Sequence, residues 1–340
     1  MPCQSSVRMT CKEELSPIAL VRHRSFTGSS HQLICFFPGN HAQALALAAK
    51  RFNTVAHIVM PSISTPSKIA ATKGYGAHVY FSGSTEAERL AVVEEVKAKT
   101  GAIVIPPADH PDIIIGQGTI ALELEEQVEE LINKDPTLSA HRSFHSTQMK
   151  EPQSLLDAVI APLGGGGMLS GIATALAPTA TRVYGAEPSF QGADDGRRGL
   201  EAGRRIEKVS SLTIADGLRT PVGRLNWEVI SDPAKVNGVF SVSEEQIKKA
   251  MRIVMERLKM VIEPSSAVGL AVIMFDEGFR GMVEREGGED GWNVGVILSG
   301  GNVAIDALGR LLSEGEEDKV EREVGMVGVD GSREVENVPC

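Results

Sequence analysis

Four consecutive glycines, Gly164 to Gly167, stand between an apolar run and a helix-forming segment in "APLGGGGMLSGIATALA". Glycine loses more backbone entropy on folding than any other residue, so four in succession need a reason. Their N–H groups can surround an anion, and the positive end of the following helix adds attraction. The pattern lacks the Walker A lysine and the dinucleotide-fingerprint spacing. It predicts a cradle for the single phosphate of an organic cofactor, with a flexible turn as the alternative.

Two other turns follow apolar runs. In "CFFPGNHAQALALAAKRF" a strand-like run meets the corner Gly39 to His41 and continues as an alanine-rich helix, an arrangement that often holds a ligand. In "VILSGGNV" a glycine pair follows Ser299, whose hydroxyl can donate to or accept from a ring nitrogen. Taken alone, this second pattern fits a plain turn equally well.

An acidic loop and a histidine pair are the candidates for a metal. The loop "GAEPSFQGADD" carries Glu187, Asp194 and Asp195, and clustered carboxylates suit a hard cation, although a solvated acidic loop is the alternative. His141 and His145 are spaced i, i+4 in the polar segment 133–154. This segment has no carboxylate at similar spacing and poor helix signals, so we predict a surface insertion.

The elements that must position these residues alternate along the chain. "TVAHIVMP", "AHVYFSG", "GAIVIPP", "DAVIAPL", "TRVYGAEP" and "NVGVILSGG" are typical of buried strands. "STEAERLAVVEEVKAKT" predicts an amphipathic helix whose apolar face carries Leu90, Val93 and Val96. Strands separated by helices predict an α/β fold of open parallel sheets with helices on both faces.

Composition narrows the class of protein. The 340 residues are 42% hydrophobic and 23% charged, with a net charge of −10, which argues against nucleic acid as a partner. No apolar run approaches the roughly 20 residues of a membrane span. The four cysteines form no CxxC pair, which fits a reducing, cytoplasmic setting. The acidic segment 314–340 is predicted to be a disordered tail.

Eight motifs in order carry a resemblance to a known family. They are "PGNHAQALALAAK", "YGAHV", "GQGTIALE", "LGGGGMLSGIA", "AEPS", "IADGL", "IEPSSAVGLA" and "LSGGNV". The chain resembles pyridoxal-phosphate enzymes of the tryptophan-synthase-β fold (fold type II) over roughly Phe36 to Leu308. It looks most like serine racemase and its relatives, the serine/threonine dehydratases and the 3-hydroxyaspartate ammonia-lyases.

The resemblance implies roles for the cofactor residues. Asn40 would contact the ring hydroxyl of pyridoxal 5'-phosphate, and Ser299 would contact the pyridine nitrogen. Gly164, Gly165, Gly166 and Gly167 with Met168 would bind the phosphate. Gly217 in "IADGL" would line the substrate side.

The resemblance also implies sites outside the cofactor. Glu187, the Ala193 carbonyl and Asp195 would hold Mg²⁺ or Ca²⁺; because this loop is two residues longer than in serine racemase, Asp194 is an alternative to Asp195. ATP would bind as an effector between the subunits of a homodimer, at the positions Tyr75, Lys259 and Asn302. The substrate would be a small hydroxy-amino acid such as serine, threonine or 3-hydroxyaspartate.

The departures from the family concern catalysis. The Ser-x-Lys-x-Arg-Gly segment that carries the Schiff-base lysine is not found, and Lys12 in "MTCKEEL" is a weak substitute beside Glu13 and Glu14. Pro38 stands where serine racemase has an acid/base serine, and proline has no proton to exchange. We therefore expect impaired activity, with elimination favoured over racemisation, either in a truncated or mis-spliced product or in a pseudoenzyme.

The resemblance implies two domains with the cofactor in the cleft between them. The small domain spans 32–109, and the large one takes 1–31 plus 110–313. Two rival functions remain at this point. One is a non-catalytic protein that binds the cofactor without a Schiff base, and the other is a nucleotide-binding α/β protein, which the absent dinucleotide fingerprint disfavours.

Overall fold

The computed structural model describes residues 32–36, 39–135, 155–288 and 290–313. The predictions for Lys12 and Pro38, for the segment 314–340 and for most of the insertion 133–154, with its two histidines, lie outside these ranges. Up to Asn302 the described residues belong to one compact unit, and those from Val303 belong to a second one. The second unit contributes one described helix, α11 (Ile305–Ser313).

Two parallel four-stranded sheets organise the first unit. The first sheet has the order β3-β2-β1-β4, with β1 (Leu33–Cys35), β2 (Ala56–Pro61), β3 (His78–Ser82) and β4 (Ile103–Val104). The second has the order β7-β6-β5-β8, with β5 (Ala158–Pro162), β6 (Arg182–Pro188), β7 (Gly238–Val242) and β8 (Val294–Val296). The predicted α/β fold is confirmed.

Helices connect the strands, as parallel pairing requires. Those of the first sheet are α1 (Asn40–Arg51), α2 (Pro66–Gly74) and α3 (Glu86–Thr100), and α4 (Pro111–Lys134) leads to the second sheet. The second sheet carries α5 (Gly167–Leu176), α6 (Asp195–Ala202), α7 (Arg224–Ile230), α8 (Glu244–Ile253), α9 (Pro264–Phe275) and α10 (Glu277–Gly287). The described helices include none that is both long and apolar enough to cross a membrane.

Helix ends follow local sequence signals. Helix α3 begins with a capping box between Thr85 and Glu88 and ends at Gly101 in the left-handed region. Helix α4 packs so closely on α5 that a Cβ atom on Gly171 would lie 2.4 Å from the Ile114 carbonyl oxygen. Glycine at this contact lets the two helices approach each other closely.

Three burial predictions are wrong: those for Leu90, for β3 and for β4, where Ile103 is 37% exposed. Leu90 on α3 is 41% exposed, whereas Val93 and Val96 are buried. Each three-residue step rotates a helix by about 300°, so Leu90 lies about 120° away from Val96 around the axis. The strand β3 is not buried throughout, and Phe81 is half exposed, because β3 is at the sheet edge and packs on one side only.

Candidate cofactor site

The cradle lies where β5 ends and α5 begins. Gly166 adopts φ 94°, ψ −7°, a left-handed conformation that glycine accepts without strain. A Cβ atom on Gly166 would lie 2.8 Å from Asn226 Cβ, and one on Gly167 would lie 2.9 Å from the Ala108 carbonyl oxygen. Gly166 therefore needs glycine for its backbone conformation and for space, and Gly167 needs it for space.

The polar groups of the cradle are arranged for an anion. The Gly165 carbonyl accepts from Gly223 N–H at 3.0 Å and from Asn226 Nδ2 at 2.7 Å, which occupies this acceptor. The N–H groups from Gly164 to Met168 donate no hydrogen bond to any other described residue. The first turn of α5 carries no acidic residue. Unpaired N–H groups and a helix start suit a phosphate.

Asp109, which is distant in sequence, caps the helix α7 that packs against the cradle. Asp109 accepts from the N–H groups of Arg224, Leu225 and Asn226 at 3.0, 2.9 and 3.2 Å, so its carboxylate caps α7. This cap fixes Asn226, which in turn fixes Gly165. The sequence reasoning missed Asp109 and Asn226, because their partners are far away along the chain.

The corner starts helix α1. Gly39 has φ 100° and ψ −140°, so a side chain here would be strained. Asn40 is exposed, and its Nδ2 donates to Glu263 Oε1 at 2.5 Å. His41 Nε2 lies 3.4 Å from the Ile105 carbonyl oxygen, and burial lowers the pKa of His41 to about 4.

Glu263 and Gly300 bring the corner next to Ser299. The Glu263 N–H donates to the Gly300 carbonyl at 3.1 Å, and a Cβ atom on Gly300 would lie 3.3 Å from Asn40 Nδ2. The Ser266 hydroxyl accepts from Gly300 N–H at 2.7 Å and lies 3.2 Å from Ser299 Oγ. Two predicted ring-binding residues, Asn40 and Ser299, thus belong to one network.

Gly217 lies beside the cradle. A Cβ atom on Gly164 would lie 3.1 Å from the Gly217 carbonyl oxygen, and Gly217 N–H donates to Ser265 Oγ at 3.0 Å. The preceding Asp216 accepts from Lys68 Nζ at 2.6 Å, and this amine would lie 4.0 Å from a Cβ atom on Gly39. The sequence reasoning missed Lys68, which links α2 to the turn before Gly217.

Three carboxylate oxygens of the acidic loop already accept hydrogen bonds from backbone N–H groups. Glu187 Oε1 and Oε2 accept from the N–H groups of Gly196 and Arg197, each at 2.9 Å, and Asp195 Oδ2 accepts from Val222 N–H at 2.9 Å. Burial raises the pKa of Glu187 well above its usual range and that of Asp195 to about 6. Two buried carboxylates whose charged forms are disfavoured fit an added divalent ion.

Asp194 differs from its neighbour. Its carboxylate forms ion pairs with Arg197 at 2.5 Å and Arg198 at 2.9 Å, and hydrogen bonds from these arginines help to lower its pKa against the effect of burial. A carboxylate held by two guanidinium groups is a poor competitor for a metal, which favours Asp195 over Asp194. Within the described ranges, no group of three or more His, Cys, Asp or Glu side chains could hold a metal, so a site here would need the Ala193 carbonyl.

The predicted ATP positions are less connected. Tyr75 is the C-cap residue that follows α2, and Lys259, at φ 60°, donates to the Glu256 carbonyl at 2.5 Å. Asn302 Nδ2 is buried without a partner among the described groups. No hydrogen bond or ion pair of the described residues joins Tyr75, Lys259 and Asn302 to one another, so their joint role stays a prediction.

Two parallel four-stranded sheets, a glycine turn between β5 and α5, and a network that joins Asn40 to Ser299 indicate the pyridoxal-phosphate-dependent class. The family model described as "Pyridoxal-phosphate dependent enzyme" matches residues 18–300, and the chain belongs to this family. The resemblance inferred from the motifs is confirmed. The match begins ahead of Phe36, so the predicted amino-terminal limit of the resemblance is wrong, while Lys12 lies outside the match.

Three known proteins illustrate the similarity. L-threo-3-hydroxyaspartate ammonia-lyase of Saccharomyces cerevisiae is 36% identical over 293 residues, which are 85% of this chain and 78% of the relative. The structure of maize serine racemase matches with a TM-score of 0.72 and 34% identity, covering 90% of this chain and 84% of that chain. The processed form of threonine deaminase isoform 2 from Solanum lycopersicum matches with a TM-score of 0.69 and 28% identity, covering 88% and 74%.

Proposed function

We propose that this chain binds pyridoxal 5'-phosphate and acts in the ammonia-lyase and racemase branch of its family, on a small hydroxy-amino acid such as serine, threonine or 3-hydroxyaspartate. The observation that carries the proposal is the cradle, with its unpaired N–H groups and its positions that exclude any Cβ atom. The names of the relatives support the substrate class.

The residues divide the work of holding the cofactor. The cradle and Met168 would bind the phosphate, Asn40 would contact the hydroxyl of the ring, and Ser299 would contact the ring nitrogen. Gly217 leaves room for the substrate beside the cradle. When bound, pyridoxal phosphate supplies an electron sink next to the substrate's α-carbon.

The residues that would move the α-proton differ from those of the family. No lysine occurs between residue 18, where the family match begins, and Lys50. The Lys68 amine would lie 4.0 Å from a Cβ atom on Gly39, but it donates to Asp216 at 2.6 Å, and this carboxylate holds it in place. Pro38 carries no proton, which favours elimination over racemisation. We therefore propose low activity for this chain, and a binding protein without a covalent link as the second candidate.

Further ligands and the setting belong to the same proposal. Mg²⁺ or Ca²⁺ would bind at Glu187, the Ala193 carbonyl and Asp195, where burial disfavours the charged forms of both carboxylates and an added cation would stabilise them. ATP would act as an effector at Tyr75, Lys259 and Asn302 of a homodimer. A cytoplasmic setting fits the cysteine pattern.

Absorption spectra with borohydride reduction test the proposal and its alternative. The protein is incubated with pyridoxal phosphate, reduced, digested and mapped by mass spectrometry. Saturable binding without a lysine adduct would support the non-covalent candidate. An adduct on Lys12 or Lys68 would identify the lysine that replaces the family's residue. Absence of saturable binding, with the protein folded, would contradict the proposed function.

A further inference from the structure

Glu263 is a buried carboxylate to which the resemblance gives no role. It is 3% exposed and stands as the N-cap residue of α9. Its side chain accepts from Asn40, and its backbone N–H donates to the carbonyl of Gly300, the residue after Ser299. One residue therefore joins the two turns that are expected to contact the cofactor ring.

The chemistry of the Asn40–Glu263 pair fixes the orientation of an amide. An ionised carboxylate only accepts hydrogen bonds, so the Asn40 atom that faces Glu263 must be Nδ2. Asn40 Oδ1 then points away from Glu263. Asn40 is exposed, and an asparagine without this partner would rotate about its last side-chain torsion and present either atom to a ligand.

The surroundings of Glu263 make a charged carboxylate costly at this position. Burial raises the pKa of its carboxyl, while the Asn40 hydrogen bond favours the charged form. Asp216 opposes and Lys68 favours that charge. A carboxylate placed in a costly environment beside one exposed amide fits a role in holding that amide.

We propose that Glu263 is a positioning residue that sets the orientation of the Asn40 amide for the cofactor ring and ties the corner to Gly300. This inference rests on the proposed function for the identity of the ligand. The orientation of Asn40 itself requires no ligand, which allows a separate test.

The first experiment compares ligand affinities. Glu263→Ala should weaken pyridoxal phosphate binding about tenfold, the effect of one charge-assisted hydrogen bond, and should leave inorganic phosphate affinity unchanged. Glu263→Gln should recover most of the loss, because Gln can still accept from Asn40. Asn40→Ala with Glu263→Ala should be no weaker than Asn40→Ala alone. Glu284→Ala, on the exposed side of α10, is the control for an unrelated carboxylate.

Two results would overturn the inference. Equal losses for pyridoxal phosphate and inorganic phosphate in Glu263→Ala would indicate general disruption of the site, and additive losses in the double variant would show that Glu263 does not act through Asn40.

The second experiment uses the protein without ligand. The side-chain NH₂ resonances of Asn40, assigned by comparison with Asn40→Ala, should shift in Glu263→Ala and much less in Glu263→Gln. Unmoved resonances would refute the inference whether or not the cofactor binds. Failure of the wild-type chain to bind pyridoxal phosphate, with shifted resonances, would instead contradict the proposed function alone.

Discussion

The cradle and the corner lie in one site but are built in different ways. The cradle is made by backbone: Gly166 and Gly167 exclude a Cβ atom, and Asn226 occupies the Gly165 carbonyl. The corner depends on side chains, since Asn40 is exposed and is oriented by Glu263 from a remote helix. Phosphate binding thus rests on geometry that few substitutions allow, whereas ring orientation and proton transfer rest on individual side chains that one substitution removes.

The departures from the family's sequence pattern lie at or before the corner along the chain. Pro38 precedes it, and the lysine segment expected ahead of it is not found. The cradle matches the family's pattern throughout "LGGGGMLSGIA". The comparison predicts a chain that keeps its affinity for the cofactor and loses most of its catalytic rate.

The largest effect concerns that rate. Ammonia or keto-acid release from L-serine, L-threonine and 3-hydroxyaspartate should be about 10²–10⁴-fold lower than in a variant that carries a family-like Ser-x-Lys-x-Arg-Gly segment ahead of the corner, because a positioned base contributes about this factor. Robust turnover by the present chain that disappears in Lys12→Ala would make Lys12 the missing residue and would contradict the predicted loss of catalytic rate.

The next effect concerns the cradle. A Cβ atom on Gly165 would lie 3.0 Å from Ala108 Cβ, and valine would add two methyl groups to this contact. Gly165→Val should therefore weaken pyridoxal phosphate binding about 100-fold or more, measured by calorimetry, and should affect inorganic phosphate similarly. Circular dichroism checks that the variant is folded. Unchanged affinity for both ligands would remove the cradle from the site.

The sequence predicted the cradle because its signal is local. A strand, four glycines and a helix are adjacent in the chain, and each has a known physical reason. The link between Asn40 and Glu263 spans 223 positions, and Asp109 caps a helix more than a hundred residues away. No local pattern encodes such partners. The exposure of Leu90 also depends on tertiary packing. The sequence shows that α3 has apolar residues, but only its contacts with the sheet show that Val93 and Val96 are buried and Leu90 is not.

A smaller effect is expected at the acidic loop, where Asp195 accepts from Val222, the residue before the Gly223 that donates to the Gly165 carbonyl. Calorimetry should show binding of Mg²⁺ or Ca²⁺ by the wild-type chain and its loss in Glu187→Ala. Asp194→Asn should retain more of the affinity, because the Asp194 carboxylate is engaged by Arg197 and Arg198. Equal binding by Glu187→Ala would show that the loop is only an acidic turn.

The smallest effect separates the corner from the cradle by pH. The cradle, Gly164 to Met168, contains no titratable side chain, whereas His41 in the corner has its pKa lowered to about 4 by burial. An unfolded histidine titrates near 6.5, so between these values the unfolded state binds more protons. The contribution of His41 to the unfolding free energy is therefore fully present above about pH 6.5 and is lost as the pH decreases toward 4.

His41 is partly exposed, which reduces the full linkage value, and we expect a loss of about 2 kcal/mol in unfolding free energy between pH 7 and pH 4 from this group. Denaturant titrations of the wild-type chain and His41→Gln at several pH values isolate this contribution, because the buried carboxylates titrate in both proteins. The difference between the two curves should grow below pH 6.5. Parallel curves would mean that folding leaves the pKa of His41 unchanged, and this histidine would then add no pH dependence to the unfolding free energy.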